Sequence, residues 1–291
     1  MKIGILKIYP VKGNDWQLLK KAGQKRNHKV ETIFLNQMWL EAKGQRVMWK
    51  DKKGSLNRFD IILVRGGGKM FRLQRNFLRW FERQGKIVVD KKFIINNITD
   101  KTLELSILKE NNFLIPDFYI FSSKEILESL IDNLSFPLML KSKRQHRGEG
   151  VYLLKNKEEL KKRIDGIKDI SDWYLQEVIV FKKDIRVFVV GDKALGAIER
   201  IPKRGEYRAN ISLGGKAKVF KLDKNMEKLA IKASKILNCE ISGVDFLLTR
   251  DRVYLLEINS IPQFYGFMQA TKINVPEKII EYLEKKFKNQ I

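Results

Sequence analysis

Two carboxylates and an amide set the first constraint on what this chain could do. Asp245 sits in Gly243-Val244-Asp245-Phe246-Leu247-Leu248, and Glu257 and Asn259 sit in Tyr254-Leu255-Leu256-Glu257-Ile258-Asn259. Both segments read as strands that otherwise bury apolar side chains, where a carboxylate is costly without a partner. Glu257 and Asn259 are two apart and share a face. Asp245 joins them only if the hairpin pairs residues of matching parity, such as 245 with 257. That implies a three-residue connection over 250–252, because a two-residue turn would send Asp245 to the other face. On one face the three make a hard-oxygen site suited to Mg²⁺, which keeps waters and bridges phosphates. The alternative is that the carboxylates pair with nearby Arg or Lys.

Basic residues in three places could meet anions. Lys141 ends an apolar strand, and the loop from Ser142 to Gly150 carries Lys143, Arg144 and Arg147 before Gly148 and Gly150, so its backbone can approach a polyphosphate closely. Asp184 and Arg186 open one strand, Glu199 and Arg200 close the next, and Tyr207-Arg208-Ala209-Asn210 follows. Guanidiniums near strand ends suit carboxylates and phosphates through paired bonds. The run Gly66-Gly67-Gly68-Lys69 lies between a strand and a helix, the context of an anion at a helix N-terminus, without the spacing or hydroxyl of a P-loop. An exposed basic hairpin, surface ion pairs and a tight turn are the bland alternatives.

The elements that must position these residues read as follows. Strands are expected over 2–9, 29–35, 47–49, 60–64 and 86–89, with helical spacing near Trp16 to Leu19 and over 69–84; this alternation indicates a parallel α/β layer. Beyond it the pattern predicts helices over 97–111 and 123–133 and strands over 137–141 and 151–154. The last third is strand-rich, over 173–179, 184–190, 193–200, 244–248 and 253–259, with helices over 224–237 and from Pro276. Two small lobes behind an N-terminal α/β domain is the economical architecture.

Composition narrows the function classes. In 291 residues, Lys and Arg number 58 against 34 acids, a net charge of +24, which favours acidic proteins, nucleic acid or polyanionic small molecules unless it reflects proteome composition. One cysteine, Cys239, excludes an internal disulfide framework and reads as a small core residue; His28 and His146 alone leave little for a His-based metal site or triad. No apolar run has the length of a membrane span and the start lacks a cleavage pattern, so a cytoplasmic location is expected.

Together these motifs resemble the ATP-grasp ligases of the RimK-like branch, named for the ribosomal-protein glutamate ligase. Asp184 to Asp192 with Ala197 to Arg200 is similar to that family's core strand pair. Tyr207-Arg208-Ala209-Asn210 with Gly214-Gly215 is similar to its Phe-Arg-x-Asn…Gly-Gly loop, and Gly243-Val244-Asp245 and Glu257-Ile258-Asn259-Ser260 resemble its metal strands. The resemblance implies an ATP-grasp fold of class α/β with α+β lobes: an N-terminal domain over 1–95, a lid lobe over 96–175 and a metal-bearing lobe over 176–291. It implies ATP between the two lobes, with Lys101 and Lys141 on phosphates, the Gly148–Gly150 loop above them, and Gln176, Glu177, Val178 and Ile179 bordering adenine. Asp184, Arg208 and Asn210 would flank the nucleotide. Arg200 and Asn210 would act in catalysis, Arg65 and Arg186 would hold substrate, and Asp245, Glu257 and Asn259 would bind two Mg²⁺ ions, with Mn²⁺ a possible substitute.

The activity implied is ATP-dependent carboxylate–amine ligation through an acyl phosphate, adding glutamate or a similar amino acid to a peptide, carrier protein, protein tail or coenzyme. An acidic acceptor suits the charge, and an oligomer is compatible with it. The contrasting reading is an ATP-binding or RNA-associated module without ligase activity. Two departures fall where amine or acceptor should bind: Pro262 is followed by Gln263 rather than Gly, and Thr271-Lys272-Ile273 replaces Thr-Gly-Ile.

Overall fold

The computed structural model describes residues 1–9, 15–66, 70–95, 101–143, 150–201 and 216–290. The first layer is built from β1 (Lys2–Lys7), α1 (Asp15–Lys25), β2 (Lys29–Phe34), β3 (Trp39–Lys43), β4 (Arg46–Asp51), β5 (Gly54–Ser55), β6 (Ile61–Val64), α2 (Phe71–Arg83), β7 (Ile87–Val89) and α3 (Lys92–Ile95). Four of these strands form a parallel sheet in the order β2-β1-β6-β7. Period-two alternation splits their side chains between two cores. Ile3, Ile5, Ile61 and Leu63 face α1 and the C-terminal helix, whereas Leu6, Ile62 and Val64 face Phe77, Leu78 and Phe81 of α2. β3, β4 and β5 add a small antiparallel sheet of which only the segment 47–49 was expected.

α4 (Lys101–Glu110) follows, its Leu105 and Leu108 packed into the core of the last lobe, and the next lobe contains β8 (Phe118–Ile120), α5 (Lys124–Leu130), β9 (Leu138–Ser142), β10 (Val151–Leu154), α6 (Lys157–Asp165) and β11 (Trp173–Glu177). Its antiparallel sheet runs β10-β9-β11-β8 and shares a core with α5 and α6 through Leu127, Leu140, Leu160, Ile164 and Leu175. Ser123 and Asn156 cap α5 and α6 by accepting the first free N–H groups. The strand expected to reach residue 179 ends at Glu177.

The last lobe comprises β12 (Lys183–Val190), β13 (Lys193–Ile201), β14 (Lys216–Phe220), α7 (Lys224–Ile236), β15 (Ile241–Leu248), β16 (Val253–Asn259), α8 (Tyr265–Thr271) and α9 (Val275–Lys288). Its sheet is ordered β14-β13-β12-β15-β16. One face packs Val187, Val189, Val244 and Phe246 with residues of α4 and α7. The other face changes character along the strands: Phe188, Val190, Ile198 and Ile241 join the first layer's core, while Asp184, Arg186, Arg200 and Asp245 occupy the opposite end.

Buried charge ties the layers together. Asp90 accepts from the backbone N–H groups of Glu240 (2.8 Å) and Ile241 (3.1 Å), and its carboxyl is raised to about 7 by burial and by Glu240. Lys92 pairs with Glu104 of α4 at 2.7 Å with only 2% of its side chain exposed. Cys239 is buried nearby, and burial pushes its thiol pKa up, so it is a packing residue. No helix among the described residues is long and apolar enough to cross a membrane.

Candidate active site

Sheet register gathers the site. β12 runs antiparallel between β13 and β15, pairing Asp184 with Arg200 and Arg186 with Asp245, and β16 pairs Glu257 with Asp245 and Asn259 with Gly243. The hairpin reaches this pairing by a route other than the expected one. Thr249 donates its N–H to the carbonyl of Arg252, so the reversal holds two residues, Arg250 and Asp251. The register then shifts between Asp245 and Phe246, leaving Leu256 as an extra residue that restores the parity of Asp245 with Glu257.

Asp245 is fully buried and both its oxygens are occupied. Arg186 donates through Nε and Nη2 at 2.6 Å each, a bidentate pair, and Arg200 Nη1 lies 3.0 Å from Oδ2. Arg200 also grips Asp184, donating through Nε at 2.9 Å. Burial opposes the charge on Arg200, yet Asp245 and Asp184 more than offset it and raise its pKa. Burial raises the Asp184 carboxyl, against the pull of Arg200. The interpretation that these carboxylates pair with local Arg therefore describes the arrangement around Asp245, which both Arg186 and Arg200 hold.

Glu257 extends the cluster toward solvent. Desolvation pushes its pKa up, but Lys101, Arg186, the Asn259 amide and Arg200 together hold it at about 2. Lys101 Nζ is 3.7 Å from Oε2, and Asn259 Nδ2 donates to Glu257 Oε1 at 3.1 Å and to Asp245 Oδ2 at 3.3 Å. Lys141, on β9 of the other lobe, feels both Glu257 and Lys101 and donates to Gln176 Oε1. Burial lowers its pKa to about 8.

The donor set fits a hard cation. Among the described residues no three His, Cys, Asp or Glu side chains form a group that could hold a metal ion; here the third donor is an amide. A half-turn of the Asn259 amide exchanges Nδ2 for Oδ1 and brings three oxygen donors together, as Mg²⁺ requires.

The remaining expected residues divide. Gln176 lies inside β11 and meets Lys141 through its side chain, a contact the sequence did not signal, and the N–H of Glu177 donates to Asp117 O. Val178 and Ile179 lie just past the strand end. Gly150 has φ 65°, left-handed backbone suited to glycine, at the start of β10. Arg65, buried just past the end of β6, donates to Pro262 O at 2.8 Å, lies 3.8 Å from the Asp15 carboxylate, and among the described residues leaves Nη1 without a hydrogen-bond partner. Gly148, Arg208, Asn210 and the segment Gly67-Gly68-Lys69 lie outside the described residues.

Gly243 has a steric reason. A Cβ there would stand 3.2 Å from both Arg186 Cδ and Pro262 Cβ. Gly243→Ala is therefore expected to displace Arg186 from Asp245 and reduce turnover roughly tenfold, measured as ADP release, whereas unchanged activity would show the clamp to be dispensable.

Comparison with known proteins gives the family and the fold. The family model described as the RimK-like ATP-grasp domain matches residues 98–283. A "Probable alpha-L-glutamate ligase" of Legionella pneumophila (strain Corby) is 31% identical over 294 residues, 99% of this chain and 97% of the relative. Among solved structures, the ATP-grasp ligase PsnB complexed with minimal precursor, Mg and ADP superposes with a TM-score of 0.72 at 16% identity, covering 98% of each chain. A Chryseobacterium gregarium RiPP-associated ATP-grasp ligase in complex with ADP and a leader and core peptide gives 0.74 at 15%, covering 98% of this chain and 97% of that one. By the span of the family model and the identity to its relative, this chain belongs to the RimK-like ATP-grasp family.

Proposed function

We propose that the chain is an ATP-dependent carboxylate–amine ligase that adds glutamate, or a closely similar amino acid, to an acceptor carboxylate on a peptide, protein tail or coenzyme. The observation that carries this reading is the joint placement of Asp245, Glu257 and Asn259 beside Lys101, Arg186 and Arg200, with Lys141 approaching from the other lobe. The relative's name, glutamate ligase, supports the amino acid.

A carboxylate is a poor acylating agent. One of its oxygens attacks the γ-phosphorus of ATP, the bond to ADP breaks, and an acyl phosphate results. The amine nitrogen then attacks the acyl carbon, phosphate leaves, and the nitrogen loses a proton. The protein's part is to orient the groups and neutralise charge. Lys101 and Lys141 hold phosphate oxygens, with Gln176 aiming the Lys141 ammonium. Glu177, Val178 and Ile179 border adenine, and Gly150 ends the loop above the phosphates. Arg200, fixed by Asp184, faces the transferring phosphoryl, and Arg186 holds Asp245 in place at the substrate side.

Asp245, Glu257 and Asn259 would hold Mg²⁺, two ions in this reading with Mn²⁺ as a substitute, which when bound supplies charge neutralisation at the phosphates. Arg65, with Nη1 buried and unpartnered among the described residues, is the candidate for a substrate carboxylate. Arg208 and Asn210 keep the roles the family resemblance gives them.

ADP release from Mg-ATP across a panel of amino acids, each with acidic peptide, carrier and coenzyme acceptors, tests the reading. Turnover that requires glutamate and one acceptor is expected; tight ATP binding with no turnover in any combination would point to a nucleotide-binding module instead.

A further inference from the structure

Helix α2 carries basic residues of an unusual kind. Its sequence, Phe-Arg-Leu-Gln-Arg-Asn-Phe-Leu-Arg-Trp-Phe-Glu-Arg, holds Arg72, Arg75, Arg79 and Arg83 and no lysine, although lysines outnumber arginines more than two to one in the chain. Other helices follow the bulk composition: α7 exposes Lys224, Lys228, Lys232 and Lys235, and α9 carries Lys278, Lys285, Lys286 and Lys288. A surface made basic only by composition would be lysine here too. Arginine differs by its planar fork, which takes carboxylates and phosphates in pairs of bonds.

The geometry is a track. Arg72, Arg79 and Arg83 are exposed and lie within about 40° of one another around the helix, along roughly 16 Å of its length. Among the described residues none of these three has an ion pair; Arg79 reaches only the carbonyl of Ile94, at 3.5 Å. By contrast Lys278 and Lys285 of α9 sit beside Glu281 and Asp192. The start of α2 lies at the carboxyl end of the parallel sheet, the end from which Arg65 reaches Pro262, three residues beyond Asn259. An open cavity of about 430 Å³ is lined there by Met70, Phe71, Arg72 and Leu73.

We propose that the Arg72–Arg79–Arg83 face of α2 docks an acidic stretch of a polypeptide acceptor, whose reactive end enters the cleft by way of the cavity at Met70 to Leu73. The proposal rests on the ligase reading for what happens to that end. A single-stranded nucleic acid matches the charge but not the chemistry of the face: Phe77, Trp80 and Phe81 are buried, and Phe71, the helix's one partly exposed aromatic, already has the Arg75 guanidinium over its ring at 5.4 Å.

The test is fluorescence anisotropy of a labelled deca-glutamate peptide and a labelled deca-uridine RNA with the full chain at about 0.15 M salt. The variants are the triple Arg→Ala and triple Arg→Lys substitutions at 72, 79 and 83, with K224A/K228A/K232A on α7 as an equal-charge control. The expected result is peptide binding weakened at least ~10-fold by the alanine variant and severalfold by the lysine variant, which keeps the charge but loses the fork, with the α7 control near wild type. No peptide binding by wild type, equal loss in the α7 control, or tighter α2-dependent binding of the RNA would overturn it. Mg-ATP binding by calorimetry, run on the same proteins, separates the two readings. Wild type that binds peptide through α2 but no ATP would contradict the ligase, and α2 variants with unchanged acceptor KM in a working ligase would contradict the docking face.

Discussion

Asp245→Asn should abolish ADP formation, lowering turnover by roughly 10³-fold, and should also cost stability. Asp245 has no exposure and is shared by Arg186 and Arg200. Removing its charge leaves Arg200 buried with Asp184 as its one close carboxylate among the described residues. Loss of one member of a buried ion network costs on the order of 3 kcal/mol, which in a chain of this size is a fall of about 6 °C in Tm. Glu257→Gln shifts the balance between the two effects. The carboxylate held at about 2 also contributes to stability at neutral pH, but with 37% of its side chain exposed the fall in Tm should be smaller than for Asp245→Asn, while turnover falls as far. Scanning fluorimetry alongside an ADP assay checks both; full activity in either variant would remove that residue from the proposed metal site.

The second large effect is at Lys141. Replacing it with Met should weaken ATP binding by about 10- to 100-fold, the worth of a charge-assisted bond to phosphate. Its pKa, lowered to about 8 by burial, gives the effect a pH signature. Below about 8 the ammonium is present and attracts phosphate; above it the neutral amine does not. ATP affinity of the wild type should therefore fall between pH 7 and pH 9, and that fall should be missing from Lys141→Met. Calorimetry at the two pH values decides the matter, and a parallel pH dependence in both proteins would place the titrating group elsewhere.

What was legible in the sequence follows from where charge is costly. Asp245 and Glu257 stood out because each interrupts an apolar strand, and the strands did form. The turn was misjudged because the bulge at Leu256 involves no glycine or other local signal; two residues in the reversal and one in the bulge reach the parity that three in the loop would have given. Arg186 and Arg200 close on Asp245 only through the order β13-β12-β15, a pairing between segments 59 residues apart that no local pattern encodes. Lys92 and Glu104 look like surface charges in sequence, and only the packing of α3 against α4 reveals them as a buried pair.

The elements that escaped notice have weak patterns. α6 has just two buried apolar residues, Leu160 and Ile164, one turn apart. β14 is a short edge strand with alternating lysines, and α8 contains Gly266. Arg72, Arg79 and Arg83 were visible as letters throughout, yet their alignment on one exposed face appears only once α2 has formed.

The central claim is that ATP activates a carboxylate as an acyl phosphate. Its most direct test is a deca-glutamate acceptor whose terminal carboxyl is labelled with oxygen-18, incubated with Mg-ATP and glutamate, with the released phosphate analysed by mass spectrometry. One labelled oxygen in each phosphate formed is the result the mechanism predicts, since the attacking carboxylate oxygen leaves with phosphorus. Unlabelled phosphate accompanying product, or no phosphate at all from a protein that binds ATP, would contradict it.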